Sequence, residues 1–266
     1  MDVETQARAA LRMFITPRRI VPRDWETDLL RQQPPRALAN GLVARVWGDG
    51  PRVLLAHGWE GRGVNLGGFI APLTAAGYQA IALDGPAHGD SPGEMTNVME
   101  FARGILDAGS ELGPLAGVIA HSMGVATTAL ALRQGLAAER VVLIAGPSSL
   151  SDVMRRFAQM ARLPEPVAER FYQLLMEHTG ISAEVLDIAR IAATLATPAL
   201  IMHDRADADV PFADGQAIAA CWPGASLYIT EGLGHRRILR DPEVIAAAIS
   251  FLTGSARIAH ASERTA

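Results

Sequence analysis

Cysteine is almost missing. The 266-residue chain has one, Cys221, so no disulfide can close within it, and the expected compartment is a reducing one, the cytoplasm. No apolar run approaches the ~18 residues that a membrane span requires. The opening "MDVETQARAALRMFITPRRIVPRD" lacks the basic start and apolar stretch of a signal peptide, so the chain reads as soluble and not exported by that route. Like charges form no block, and the net charge is −4. That balance offers no grip to nucleic acid and no pull toward anionic membranes. Internal repeats, low-complexity segments and metal-ligand spacings such as H-E-x-x-H are also missing, so neither a metal nor an organic cofactor is expected.

What is present is apolar and ordered. Hydrophobic residues make up 49% and charged residues 20%, enough for a sizeable core. Residues 3–15 suit a short helix, and "TPRRIVPRD" and "RQQPPRALANG" read as proline-punctuated connectors. An alternation then begins. Strands are expected at 42–47 and 52–57, joined by the turn "GDGP", and then at 78–84, 115–121, 140–146, 198–204 and 226–232. Helices are expected at 65–77, 95–112, 123–136, 212–221 and 242–253. The continuous apolarity of the strands is that of strands buried on both faces. Their alternation with helices predicts an α/β fold: a mostly parallel central sheet with helices on both faces. The ending "GSARIAHASERTA" reads as a frayed tail.

Residues 148–195 interrupt the alternation. They contain helical runs and no strand, yet fall between two sheet strands. The simplest arrangement is a helical cap inserted between sheet strands and covering one edge. Most of its apolar residues suit packing, but some must face the cleft. Phe157 and Met160 are the candidates for substrate contact. Its arginines form no cluster, since Arg155 and Arg156 are adjacent and point in different directions on a helix. This favours an uncharged, moderately apolar substrate.

The densest chemical signal is "IAHSMGVATTALAL", residues 119–132. A serine hydroxyl needs an adjacent base and must project from the fold to act as a nucleophile. A tight strand-to-helix turn projects it, and such a turn tolerates only small residues two places away on each side. Ala120 and Gly124 meet that demand around Ser122, in a variant of G-x-S-x-G with alanine at the first glycine. Over residues 42–253 the sequence resembles the α/β-hydrolase superfamily, in particular its bacterial esterase-like members with a helical cap. The resemblance implies one α/β-hydrolase domain over 1–266, and a catalytic order of serine, acid, histidine. His235, in "LGH" after the strand ending near Gly232, is the candidate base. Asp207 stands three residues before the Val210–Pro211 pair, where the family commonly carries its acid. Asp209 is the second choice, with an alternative role as a helix cap, and Asp204 follows its strand too closely. In "AHGW", residues 56–59, the family's His-Gly loop implicates the Trp59 N–H as one oxyanion donor, with the Met123 N–H as the other.

The other candidates have plainer readings. His121 is beside the serine but is expected to face elsewhere. His203 is expected to be packed or bonded to backbone, and His88 to be structural. His178 falls in the cap, His260 in the tail, and Cys221 near a helix end without an elbow. The resemblance therefore implies a serine carboxylic ester hydrolase acting on a small-molecule ester through an acyl-enzyme. The same three groups also serve C–C, thioester and amide hydrolysis and acyl transfer. A non-catalytic binding protein on this fold is the reading from a different class.

Overall fold

The central apolar runs become strands because each has a core on both sides. In the computed structural model, which describes residues 2–180 and 187–254, side chains alternate between two packed clusters. Leu54, Ala56, Val118, Ala120, Val141 and Leu143 face one cluster. Val53, Leu55, Ile119, Val142 and Ile144 face the other. A strand buried on both faces has no polar side to show.

The chain runs through α1 (Val3–Ile15), α2 (Asp24–Gln32), β1 (Arg36–Ala37), β2 (Val43–Trp47) and β3 (Arg52–Ala56). A 3₁₀ segment (Gly63–Phe69) leads into α3 (Ile70–Ala75), β4 (Gln79–Asp84), α4 (Val98–Leu112), β5 (Leu115–His121), α5 (Met123–Arg133) and β6 (Val141–Ile144). Then follow α6 (Leu150–Met160), α7 (Glu165–Thr179), α8 (Ile188–Ala192), β7 (Ala199–Asp204), α9 (Phe212–Cys221) and β8 (Ser226–Thr230). The chain closes with α10 (Gly234–Arg237), a short 3₁₀ turn and α11 (Pro242–Thr253). The eight strands form one sheet in the order β1-β2-β4-β3-β5-β6-β7-β8. β1 and β2 pair antiparallel, as do β2 and β4, and every other pairing is parallel.

Several expectations change here. The strands flanking "GDGP" are not neighbours, because β4 lies between them. The turn packs instead against the end of α3: a Cβ at Gly50 (φ +107°) would lie 2.2 Å from the Gly77 carbonyl oxygen. The helix expected at 65–77 starts as the 3₁₀ segment and becomes α-helical only from Ile70. The helix expected at 95–112 starts at Val98, where the Asn97 side chain accepts from the Met99 and Glu100 N–H groups. Two elements were not expected: α2, largely between the two connectors, and β1, within the second.

The segment between β6 and β7 is helical, with α6, α7 and α8 in that order. Part of it, residues 181–186, lies outside the described residues, as does the expected tail from residue 255 with His260. A third hydrophobic cluster joins α6 and α7 to α1 through Ala7, Ala10, Ile15, Met154, Val167 and Phe171. Phe14 meets Phe157 and Phe171 edge-on, at centroid distances of 4.9 and 5.5 Å. Arg170 pairs with Glu4 at 2.6 Å. The amino-terminal helix is thus part of the same packing unit as the inserted helices. No helix among the described residues is long and apolar enough to cross a membrane.

Candidate active site

β3 sits between β4 and β5, so the chain leaves β3 toward one side of the sheet and leaves β5 toward the other. Where the winding reverses, loops after the carboxyl ends of neighbouring strands diverge and leave a crevice. The loops after β3 and β5 carry Gly58–Trp59 and Ser122.

Ser122 occupies the single residue between β5 and α5, at φ 56° and ψ −122°. This is a positive-φ conformation that a non-glycine residue holds at a cost of about 1–3 kcal/mol, and only where the surroundings impose it. Here they do. The Ser122 N–H donates to the Ile144 carbonyl at 2.9 Å, and the Val125 N–H donates to the Ser122 carbonyl at 2.9 Å. A Cβ at Gly124 would stand 2.4 Å from the Ala56 carbonyl oxygen, which gives the sequence requirement for a small residue its steric cause. Gly58 answers a second constraint: a Cβ there would stand 2.8 Å from Ser122 Cβ and 3.3 Å from its Oγ. Among the described residues, Ser122 Oγ makes no hydrogen bond.

The loop after β3 is held from below by His57, which is fully buried. Its Nε2 accepts from the Gly85 N–H at 2.9 Å, and its Nδ1 lies 2.7 Å from the Gly58 carbonyl oxygen. Nε2 accepts, so Nδ1 carries the proton and donates to that carbonyl. Burial holds the ring neutral, with its pKa well below the ordinary histidine value. In a trans peptide the carbonyl and the following N–H point in opposite directions. The Gly58 carbonyl turns toward His57, which turns the Trp59 N–H away from it. The Met123 N–H is the first of α5 and has no acceptor within the helix.

The carboxyl ends of β7 and β8 carry the other two candidates. His235 Nδ1 lies 2.8 Å from Asp207 Oδ2. Asp207 Oδ1 accepts from the Asp209 and Val210 N–H groups, both at 2.9 Å. His203 Nε2 approaches Asp207 Oδ2 at 3.4 Å while donating to the Val210 carbonyl at 3.0 Å. Burial opposes ionisation of Asp207, but the donors from His203, His235 and Val210 outweigh it and hold the carboxyl below the ordinary carboxylate range. Asp209 is exposed at the rim of the groove described below. It does not cap α9, whose amino end has no side-chain cap, because Asp207 already takes the loop N–H groups.

Asp204 has a role that its position in sequence did not disclose. Its Oδ1 accepts from the Ala206 N–H at 2.9 Å, in the acid loop. Its Oδ2 accepts from Thr230 Oγ1 at 2.7 Å and from the Leu233 N–H at 2.9 Å, in the histidine loop. One fully buried carboxylate therefore ties the Asp207 loop to the His235 loop. His121 also differs from expectation. Its Nε2 donates to the His235 carbonyl at 2.8 Å and the two rings lie 4.6 Å apart, so it braces His235 and does not face elsewhere. Burial, with the nearby His235 second, lowers its pKa to about 3, so it stays neutral. His88 is structural as expected: its Nδ1 meets the Pro86 carbonyl at 2.8 Å and its ring packs on His57, Trp59 and Phe101.

Two cavities meet here. An apolar one is bordered by Trp59 and Met123 together with Phe14, Ile15, Leu150, Val153, Met154, Leu175 and Met176. A larger groove, lined by polar and apolar surface together, is bordered by Gly58, Trp59, His121, Ser122 and His235. Trp59 borders both. Met160 borders the groove and is 77% exposed, whereas Phe157 borders neither cavity and packs on Phe14 and Phe171. Cys221 is exposed and outside both cavities. Among the described residues, no group of three His, Cys, Asp or Glu side chains could hold a metal ion.

Comparison with known proteins agrees with this architecture. The esterase EaEST from Exiguobacterium antarcticum superposes with a TM-score of 0.64 at 19% identity, covering 83% of this chain and 99% of the other. The esterase RhEst1 from Rhodococcus sp. superposes with a TM-score of 0.63 at 18% identity, covering 83% and 98%. The meta-cleavage product hydrolase CumD from Pseudomonas fluorescens does so at 0.63 and 17%, covering 85% and 100%. At such identities the likeness is one of fold. A search of curated proteins gave no match. The sequence model of the alpha/beta hydrolase family matches residues 53–248, from β3 to within α11, and the chain belongs to that family.

Proposed function

We propose that the protein is a serine carboxylic ester hydrolase working through an acyl-enzyme on Ser122. The observation that carries this is the 2.8 Å contact between Asp207 and His235 Nδ1, beside the groove that the strained Ser122 also borders. With Nδ1 engaged, His235 Nε2 is the nitrogen left to take the Ser122 proton. Asp207 holds the ring in that tautomer and balances the imidazolium that forms. The Trp59 and Met123 N–H groups receive the developing oxyanion. The leaving alcohol takes the proton back from His235, and water activated by the same ring then releases the acid. The chemistry draws on protein groups alone.

The apolar cavity takes the acyl chain. Helices α6 and α7 act as a cap whose Val153, Met154, Leu175 and Met176 form much of that wall, which replaces Phe157 in the role expected for it. The test is a panel of p-nitrophenyl esters of rising chain length, with fluorophosphonate labelling. The wild-type protein hydrolyses the esters and labels at Ser122. The Ser122→Ala variant stays folded by circular dichroism and does neither. Wild-type-like turnover in a folded Ser122→Ala protein would remove Ser122 from the mechanism. The match to CumD, a meta-cleavage product hydrolase, supports C–C bond hydrolysis as the second reading, and a vinylogous diketone included in the panel tests it.

A further inference from the structure

Six arginines border the groove that holds Ser122 and His235: Arg18, Arg23, Arg62, Arg236, Arg237 and Arg240. Only three carboxylates border it, Glu26, Glu60 and Asp209, so the groove has an excess of three positive charges in a chain of net charge −4. Two of the carboxylates are engaged. Glu60 pairs with Arg18 at 2.6 Å. Glu26 is buried and accepts from the Arg23 N–H and from Asn65 Nδ2, both at 2.7 Å.

Among the described residues the other five arginines form no ion pair. Three are positioned by uncharged partners. Arg62 donates to the Ile20 carbonyl at 2.8 Å, Arg237 donates to the Gly232 carbonyl at 2.5 Å, and Arg240 lies 4.0 Å over the Trp25 ring. A guanidinium has five N–H donors, so one contact to a carbonyl leaves most of its valence open. The cations come from three separate parts of the chain: the segment between α1 and α2, the loop after β3, and the turn that follows His235. Like charges gathered in one concavity repel. Their gathering in the groove that also holds Ser122 is the arrangement that recognises an anion, and arginine suits phosphate through its planar fork.

We propose that the groove binds the leaving group of the substrate, and that this group is a phosphorylated alcohol or thiol carrying more than one negative charge. The proposal rests on the acyl-enzyme reading of Ser122. It replaces, for the leaving group, the uncharged substrate expected from the absence of a cationic cluster in residues 148–195. A single carboxylate engages one or two guanidiniums. Five open ones spread around one groove call for several anionic oxygens. In the reaction the Ser122 Oγ–acyl bond forms as the acyl–oxygen or acyl–sulfur bond breaks. The proton taken by His235 passes to the departing oxygen or sulfur, and the phosphate leaves unchanged with the alcohol or thiol.

The test compares matched substrates that share one acyl group. Butyryl-coenzyme A is set against the neutral butyryl thioester of N-acetylcysteamine, and 1-butyrylglycerol 3-phosphate against 1-butyrylglycerol. The expected result is that at least one phosphorylated member has a kcat/KM about tenfold or more above its neutral counterpart, with the ratio falling as salt rises. The double substitution Arg62→Gln with Arg240→Gln should lower that ratio severalfold. The pair that shows the preference identifies the source of the phosphate. Equal kcat/KM within both pairs, or a ratio indifferent to salt and to the double substitution, overturns the proposal. p-Nitrophenyl butyrate separates the two levels. If it is hydrolysed while no phosphorylated substrate is preferred, only the groove assignment fails. If it is not hydrolysed and Ser122 does not label, the acyl-enzyme reading fails with it.

Discussion

At the scale of single residues, the acid assignment rests on one loop in which two aspartates face opposite fates. Asp207 meets His235 and collects two backbone N–H groups, while Asp209 is exposed. Asp207→Asn should lower kcat by ~10⁴-fold, about 5 kcal/mol, because an amide favours the wrong histidine tautomer and cannot balance the imidazolium. Asp209→Asn should change stability by no more than about 0.5 kcal/mol and keep most activity. Steady-state kinetics on both variants, with matching circular dichroism, would decide it, and an inactive Asp209→Asn would reverse the order. Gly58 gives a second prediction. An added methyl would press on Ser122 at 2.8 Å, and the elbow cannot yield without losing its bonds to Ile144 and Val125. Gly58→Ala should therefore lower kcat by 10²-fold or more, the size of losing one oxyanion donor, at a stability cost of about 1–3 kcal/mol for overpacking. Unchanged kcat in a folded variant would show that this loop does not position the reacting carbonyl.

At the scale of elements, α1, α6 and α7 form one packing unit, and α6 and α7 line the apolar cavity. Val153 and Met176 border that cavity and are only half-buried, so they can be changed without opening a hole in the core. Val153→Phe narrows it and should shift the relative kcat/KM toward short acyl groups by about tenfold, the scale on which one or two methylenes are discriminated in an apolar pocket. Phe157→Ala should lower the melting temperature, through loss of its contacts to Phe14 and Phe171, and leave the chain-length profile in place. A profile that moves with Phe157 and not with Val153 would mean that the acyl chain lies elsewhere. The sequence pattern announced the helices between β6 and β7, but not the participation of α1. An amphipathic helix shows that one face will be covered; the partner far along the sequence, such as Phe157 for Phe14, is chosen in the folded chain.

At the scale of the whole molecule, several buried histidines set the response to acid. His57, His88 and His121 have pKa values lowered first of all by burial, to about 3 for His121. A histidine with a folded pKa below its unfolded one contributes full stability above about 6.5, and loses it as the pH falls from there toward the folded pKa, because the unfolded chain binds the proton more readily. At pH 5 the loss for His121 alone is about 2 kcal/mol. Asp207, whose folded pKa is depressed, adds its own loss only below its unfolded value of 3.8. The melting temperature should therefore fall steadily below pH 6.5, and His121→Gln should flatten the decline between pH 6.5 and 4. A melting temperature constant from pH 7 to 4.5 would contradict the burial of neutral rings.

The sequence by itself determined the layered α/β architecture, because strands covered on both faces must be apolar throughout and the helices between them must repeat. It also determined the elbow, since the small residues around Ser122 answer a local steric demand, and it narrowed the candidate acid and base to positions after late strands. Only the tertiary structure decided that β4 separates β2 from β3, that Asp204 ties the two loops together, and that His121 braces His235. It also decided that arginines from three distant segments share one groove. "TPRRIVPRD" and "GHRRILRD" display those charges openly, but a run of arginines looks the same whether it faces solvent or borders a groove with Ser122. The difference lies in contacts between residues more than 200 positions apart, and such contacts leave no periodicity in the chain.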